Sequence, residues 1–455
     1  MVEVRITYAS RVFSFPDRAV SVEDIADIMQ NSSGGRSVSF SDLQFPVDVA
    51  ELVAAGHDFA RATGEVLVND IVLLSGSVSE PQYGRAGDPV SLTVSDEPYN
   101  DRGAVPSLPV PVPASASFIV DNTGAYVPFV FGQPCVYTDE NGEDHAGIGW
   151  PVPVTKRAVV GKAIKELAVF SHTVPAATTA TFFNSEGTAQ VSTITTSDEI
   201  ANTAVTSSTT WPASFLAKPP FYCRSSTSIG RDGRAGELIA ALLERSTLVI
   251  DWGRFAKARG ALNRYVLAGY FDAPATPWQL INDHINPILP ISWLSSSDGI
   301  YPIVWDFDAV PVAEIVNASR VSPVTYEGDT GDLVNEITVN YALDALGGDY
   351  LQTVTERDER SIAAWGVAHL SIDCDICSDR DTAYRIARGI LSRRAWVHRS
   401  VSYEMENPPS VGSLVAVTDD DLHLTSENAI VSGVVYGNTP AARVDVLIIT
   451  KARGS

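Results

Sequence analysis

The sequence is poor in cysteine, histidine and basic residues, and it contains no long apolar run. Four cysteines in 455 residues are too few for the disulfide framework that holds small secreted domains together. The seven histidines, His57, His145, His172, His284, His369, His398 and His423, are scattered. None stands at ligand spacing from another, so the sequence gives a zinc site little support. No apolar stretch reaches the roughly 20 residues that cross a bilayer as a helix. Met1 to Phe15 carries Glu3, Arg5 and Arg11 within an alternating pattern, where a signal peptide needs an unbroken apolar stretch. The expectation is a protein made in a cytosol without an export signal. Lys plus Arg number 32 against 55 for Asp plus Glu, a formal charge of −23. That sign disfavours general binding to nucleic acid or to anionic membranes, both of which rely on basic residues.

Enzyme signatures are equally sparse. Gly161-Lys162-Ala163 lacks the hydroxyl and the earlier glycine of a phosphate-cradling loop. Gly230, Gly233 and Gly236 precede a helical pattern and read more readily as a domain junction than as an anion cradle. There is neither a Gly-x-Ser-x-Gly elbow nor a His-Glu-x-x-His helix. Cys374-Asp375-Ile376-Cys377 has the spacing of a redox pair or half a metal site, but Cys135 and Cys223 are single and distant, so the reading is thiols without a metal. Asp306 and Asp308 stand two apart on an expected strand, and Asp419, Asp420 and Asp421 form an acidic run. In a chain this acidic such groups arise by chance, and the run reads as a solvated turn, with a loosely held calcium ion as the alternative. Trp278, Trp293, Trp305, Trp365 and Trp396 sit in apolar patterns and are expected in cores. A carbohydrate-binding or glycan-hydrolysing module, built on the paired aspartates and tryptophans, is the alternative reading.

What the sequence does have is 45% hydrophobic residues, enough for several cores, and strand-like periodicity over most of its length. Val2, Val4, Ile6 and Tyr8 alternate with polar residues, as do Val38 and Phe40, and Val90, Leu92 and Val94, while Val66 to Leu74 is a long run rich in Val, Leu and Ile. These patterns predict strands. Ser21, Asp24, Ile25, Ile28 and Met29 predict one helix among them. Pro106, Pro109, Pro111 and Pro113 mark a stiff linker. From Ser117 to Tyr222 the pattern is β-rich, with a hairpin turn at Asn141-Gly142 and exposed strands and loops over Thr178 to Thr210. After Gly230 come a short amphipathic helix at Leu238 to Leu243 and another opened by Thr276-Pro277 and closed before Pro287. The last part alternates again around Ile337, Val339 and Tyr341. It has one helix from about Asp379 to Arg394, and strands at Val401 to Met405, Leu414 to Val417, Ala429 to Tyr436 and Val444 to Ile449.

The fold class predicted is mostly β, of the α+β type, in several domains. The expected boundaries are 1–100, a linker at 101–116, a β-rich domain at 117–229, an α+β module at 230–322 and a terminal β domain at 323–455.

One ordered set of motifs is more specific. Asn335-Glu336-Ile337-Thr338-Val339-Asn340-Tyr341 is followed by Asp358, Ser361 and Gly366 in a D-x-x-S-x-x-x-x-G spacing. Then come the helix with Ala383 and Ala387 and the strand opened by Val411-Gly412-Ser413 and running to Asp419. This order resembles the tail-tip (baseplate) hub proteins of long-tailed bacteriophages and of gene-transfer-agent particles. Val411-Gly412-Ser413 departs from their Pro-Gly-Asp. Upstream, Tyr126-Val127-Pro128-Phe129-Val130-Phe131-Gly132 looks like a further segment of such proteins, and Gly236 to Leu243, then Thr276-Pro277-Trp278 with Ile281, is similar to their helical module. The resemblance is firmest over 323–450, weaker over 115–320 and architectural over 1–100.

It implies two tail-tube-like antiparallel β-barrel domains, each with a packed helix, at 1–100 and 323–455. It implies a homotrimeric structural virion protein that closes the distal end of the tail tube. The implied partners are a tube or distal-tail hexamer and the tip, tape-measure and fibre proteins, with DNA passing through without specific binding. It implies no catalytic residues, no cofactor and no metal.

Overall fold

The computed structural model describes residues 2–8, 11–16, 21–22, 25–28, 37–43, 62–68, 71–78, 90–95, 101–106, 116–118, 126–134, 136–157, 165–170, 179–197, 204–207, 211–224, 232–296, 298–305, 310–316, 318, 320, 325–327, 333–436 and 441–448. The protein is mostly β, with several sheets, and among the described residues none closes into a barrel. No helix of the described residues is long and apolar enough to cross a membrane.

The N-terminal sheet has seven strands. Val2–Tyr8 lies between Arg11–Pro16 and Thr63–Val68, and Val4 and Ile6 are wholly buried, as their alternation predicts. The run at 66–74 is split between two antiparallel strands, Thr63–Val68 and Ile71–Val78. The predicted helix at 21–29 is not formed. Its residues make the short strands Ser21–Val22 and Ile25–Ile28. Ile25–Ile28 pairs with the end of Leu424–Tyr436 in the C-terminal sheet, so the two ends of the chain share hydrogen bonds. Isoleucines at 25 and 28 satisfy a helical spacing and a β preference equally, and the available strand partner decides between them.

The middle of the chain builds an eight-stranded sheet that includes Val154–Arg157, Lys165–Val169, Thr179–Phe183 and Ala189–Ser197. Trp150, Val154, Phe170, Phe182, Trp211 and Phe215 form its core. The expected hairpin is present, with Val136–Thr138 paired to Asp144–Ala146 and Gly142 at φ +80° in the turn, a conformation that glycine adopts without steric cost.

The largest core joins the helical module to the beginning of the terminal part. It contains Phe129, Phe131, Leu238, Ile239, Leu242, Phe255, Leu262, Trp278, Ile281, Ile337, Val339, Tyr341, Ala383, Ile386, Ala387 and Ile390. The helix Pro277–Leu280 begins with a full capping box. Thr276 accepts from Gln279 N, Gln279 reaches back to Thr276 N, and proline fills the first helical position. Helix Arg380–Arg394 is capped by Asp379, whose carboxylate accepts from Thr382 N, and it ends in Arg393 and Arg394, as the helix dipole favours. The helix Trp252–Leu262 is absent from the sequence reading. It buries only Phe255, Ala258 and Leu262 and carries glycine at 253 and 260, so its apolar stripe is thin.

Hairpin Ile291–Ser296 with Gly299–Val304 connects two cores. Ile291 and Trp293 enter the large core, whereas Leu294 enters that of the C-terminal sheet, because successive strand residues face opposite sides. The C-terminal sheet has the strand order Ala313–Val316, Leu414–Asp419, Leu424–Tyr436, Ala442–Ile448, His398–Met405 and Thr325–Glu327. It packs Val401, Tyr403, Val415, Val417, Val431, Val444 and Val446 inside.

Candidate functional site

The ordered motif at 335–413 folds into one hydrogen-bonded unit. Glu336–Leu343 is the central strand of a three-stranded sheet. It lies antiparallel to Tyr350–Arg357 and parallel to His369–Asp373. Asn335, at the foot of this strand, is fully buried. Its Nδ2 donates to Gly366 O at 2.7 Å and to Ser361 Oγ at 3.2 Å, and its Oδ1 accepts from Ala368 N at 2.7 Å. Ser361 Oγ donates onward to Ala395 O at 2.6 Å. Asp358 caps the short helix Glu359–Trp365 by accepting from Ser361 N at 2.9 Å and Arg360 N at 3.1 Å, and its other oxygen accepts from Trp396 Nε1 at 2.9 Å. Gly366 ends that helix at φ +81° and ψ 176°, a conformation that glycine adopts without steric cost.

The remaining motif residues serve packing. Ile337, Val339 and Tyr341 lie wholly inside, against Ala383 and Ala387, which are fully buried on the long helix. The small side chains allow helix and sheet to approach closely. Tyr341 reaches out of the unit, and its hydroxyl donates to Thr138 O at 2.9 Å in the hairpin. Burial pushes the Tyr341 phenol up to about 12, so it acts as a donor and not as a base. Thr382 Oγ1 accepts from Val266 N at 2.9 Å, joining the long helix to the helical module.

The upstream segment joins the same unit. Phe129–Phe131 pairs with Gly269–Phe271, and the Phe131 and Phe271 rings are 5.1 Å apart. Gly132 stands at φ +64°, where a Cβ would lie 2.3 Å from Leu267 O. Gly412 is at φ +81°, and a Cβ there would lie 2.4 Å from Ile303 Cδ1. Val411-Gly412-Ser413 forms a turn held to the neighbouring strand, with Gly412 N donating to Val431 O and Val431 N donating to Ser413 O.

The chemistry-bearing candidates among the described residues make contacts within the fold. Cys374 and Cys377 are buried. The Cys377 thiol is pushed well up by its hydrogen bond with Cys374 and by burial, the reverse of what a redox or metal-binding thiolate needs. Cys223 is buried in a different core, and Cys135 lies outside the described residues. Asp419 is buried and accepts from Tyr403 Oη at 3.0 Å and Leu422 N at 3.2 Å. Arg320 lies near Asp419 and Asp421, at 3.8 and 3.7 Å. The acidic run is thus a capped turn with Arg320 near two of its three carboxylates, and it departs from the expected solvated turn in that Asp419 is buried.

Gly233 and Gly236 permit close packing, since a Cβ at either would lie 2.6 Å from Leu267 O or Asn263 Oδ1. Gly230, Gly161 to Ala163, Asp306 and Asp308 lie outside the described residues. Trp278 and Trp293 are core residues in edge-to-face contact at 4.9 Å, and Trp305 and Trp396 are partly buried. Trp365 departs from its expected place in a core and is 54% exposed at the last position of its short helix.

Asp139, Glu143 and His145 bring metal-ligating atoms within 4.8 Å of one another, a cluster that histidine spacing alone did not reveal. Asp139 Oδ1 accepts from Asn141 N and Glu143 N, both at 2.9 Å, and Oδ2 lies 2.9 Å from His145 Nε2. Both oxygens brace the hairpin. The backbone N–H of Glu143 and the His145 ring hold the Asp139 carboxyl down at about 2.

No protein-family model and no curated protein matches the chain. Solved structures do. A tail protein from Neisseria meningitidis MC58 is 10% identical over 98% of this chain and 96% of its own, with a TM-score of 0.44. The 43 kDa tail protein of prophage MuSo2 from Shewanella oneidensis is 9% identical over 98% of both chains, with a TM-score of 0.40. A chain of the virion of a native gene transfer agent particle is 12% identical over 76% of this chain and 90% of its own, with a TM-score of 0.35. The structures this chain is similar to are thus tail proteins and a particle component, at likenesses too low to transfer a residue's role.

Proposed function

We propose that the chain is a structural component of a phage-like tail and, more specifically, a homotrimeric hub at the distal end of the tail tube. In this reading residues 1–100 and 323–455 are its two tube-like domains, which pair with a tube or distal-tail hexamer. Residues 117–229 and 230–322 face the tip, tape-measure and fibre proteins, and the negative charge keeps passing DNA from adhering. The protein resides in the virion and performs no catalysis.

The observation that carries the reading is the buried hydrogen-bond chain from Asn335 through Ser361 to Ala395. The polar residues on which the hub resemblance rests are spent on holding a strand, a turn and a helix together, as a scaffold requires. The edge strand Ala313–Val316 adds support. Val310, Val312 and Val316 are 84%, 72% and 55% exposed on and beside it, an apolar edge of the kind that assembly covers.

Light scattering coupled to gel filtration, with negative-stain images of the same peak, tests the oligomer. A trimer with a central hole agrees with the hub reading. A monomer that cleaves a cell-wall glycan contradicts it.

A further inference from the structure

A cleft of about 530 Å³ opens between the hairpin Ile291–Val304, the end of the long helix and the strands His369–Asp373 and Ala442–Ile448. Its walls include Trp305, Leu370, Ile372, Arg393, Arg394 and His398, and no aspartate or glutamate among the described residues. In a chain with 55 acidic residues against 32 basic ones, this is a basic surface within an acidic field.

The arginines elsewhere show what is unusual here. Arg259, Arg357 and Arg388 each pair with a glutamate although their side chains are 45%, 55% and 70% exposed. Arg393 is more enclosed, and among the described residues no carboxylate pairs with it. Its Nε donates to Gly389 O at 3.2 Å. Burial lowers its pKa, the nearby Tyr265 works against that, and the neighbouring Arg394 lowers it further. A half-buried charge of this kind gains from an opposite charge brought to it. The two apolar walls come from edge strands. Among the described residues His369–Asp373 pairs only with Glu336–Leu343, and Ile291–Ser296 only with Gly299–Val304. Open strand edges beside pockets for alternate side chains suit an extended peptide.

We propose that this cleft docks an extended acidic segment of a partner protein. An Asp or Glu carboxylate meets Arg393 and Arg394, and apolar side chains two residues away rest on Trp305, Leu370 and Ile372. The two-residue period follows from strand geometry, which sets alternate side chains on one face. Charge complementarity selects the occupant, since the net charge of −23 disfavours acidic peptides on the chain at large. The inference rests on the cleft itself and stands independently of the tail reading.

The test is selection from a random peptide display library on the immobilised full chain. The consensus peptide and its Gln-for-Glu counterpart are then titrated by tryptophan fluorescence. The expected consensus carries Asp or Glu flanked by apolar residues at two-residue spacing, and both Arg394→Gln and the Gln peptide weaken binding at least tenfold. Arg393→Gln should do the same. If that variant fails to fold by circular dichroism, Arg394→Gln, at an exposed position, carries the test. Selection of peptides without acidic residues, or equal binding by wild type and Arg394→Gln, overturns the proposal. Self-association of the chain that Arg394→Gln abolishes assigns the cleft to a second copy and overturns it too.

Discussion

Asn335 and Ser361 stand 26 positions apart in sequence and meet inside the protein, Nδ2 to Oγ at 3.2 Å, both fully buried. Through this contact the foot of the central strand, the cap of a short helix and the end of the long helix share one chain of donors and acceptors. Asn335→Ala removes three hydrogen bonds and leaves Gly366 O and Ala368 N without their partner, so unfolding in urea should show a loss of about 2–4 kcal/mol. Ser361→Ala should cost about 1–2 kcal/mol. A double-mutant cycle should give a coupling of about 0.5–3 kcal/mol, since the two share a network.

Gly412 couples the turn before Leu414–Asp419 to the hairpin strand that carries Ile303. Gly412→Ala meets both the positive φ of 81° and the 2.4 Å approach to Ile303 Cδ1. Thermal unfolding should show a destabilisation of about 1–3 kcal/mol. Adding Ile303→Val, which removes the contacting methyl, should recover the steric part and leave the backbone part.

The hairpin at 136–146 should depend on pH in a definite direction. The folded-state value of Asp139, about 2, lies below that of an ordinary carboxylate. Its contribution is complete above the ordinary value and is lost as pH falls through about 2. Carboxyl-carbon NMR should place the Asp139 midpoint near 2 in the folded chain. A midpoint in the ordinary carboxylate range would show that the turn hydrogen bonds are not made.

The Cys374 and Cys377 thiols should be inert. With Cys135 replaced by serine, native protein at pH 8 should react with a disulfide reagent only at the rate of unfolding, and zinc should not protect it. Rapid modification would show that the buried pair opens.

Much of the fold was legible because local signals and tertiary partners agree. Asp379 and Thr276 mark helix starts that the structure keeps, and Asn141-Gly142 marks a real hairpin. Ile25 to Ile28 was misread because its spacing suits helix and strand alike, and the deciding partner lies some 400 residues away in Leu424–Tyr436. The helix Trp252–Leu262 was missed because its two glycines and thin apolar stripe weaken the period. The motif residues Asn335, Asp358 and Ser361 were visible, but their role was not. A buried asparagine that satisfies a glycine carbonyl 31 positions on is set by the packing of the helix. The cleft around Arg393, with no aspartate or glutamate among its described walls, is invisible for the same reason, because elements far apart in sequence supply those walls.

The most direct measurement is the copy number of this chain in purified particles, by quantitative mass spectrometry against the major tail-tube protein, with immunogold labelling of the same particles. The account predicts three copies per particle and label confined to the end of the tail away from the head. Absence from the particle, or label distributed along the tube at a copy number in the tens, would contradict it.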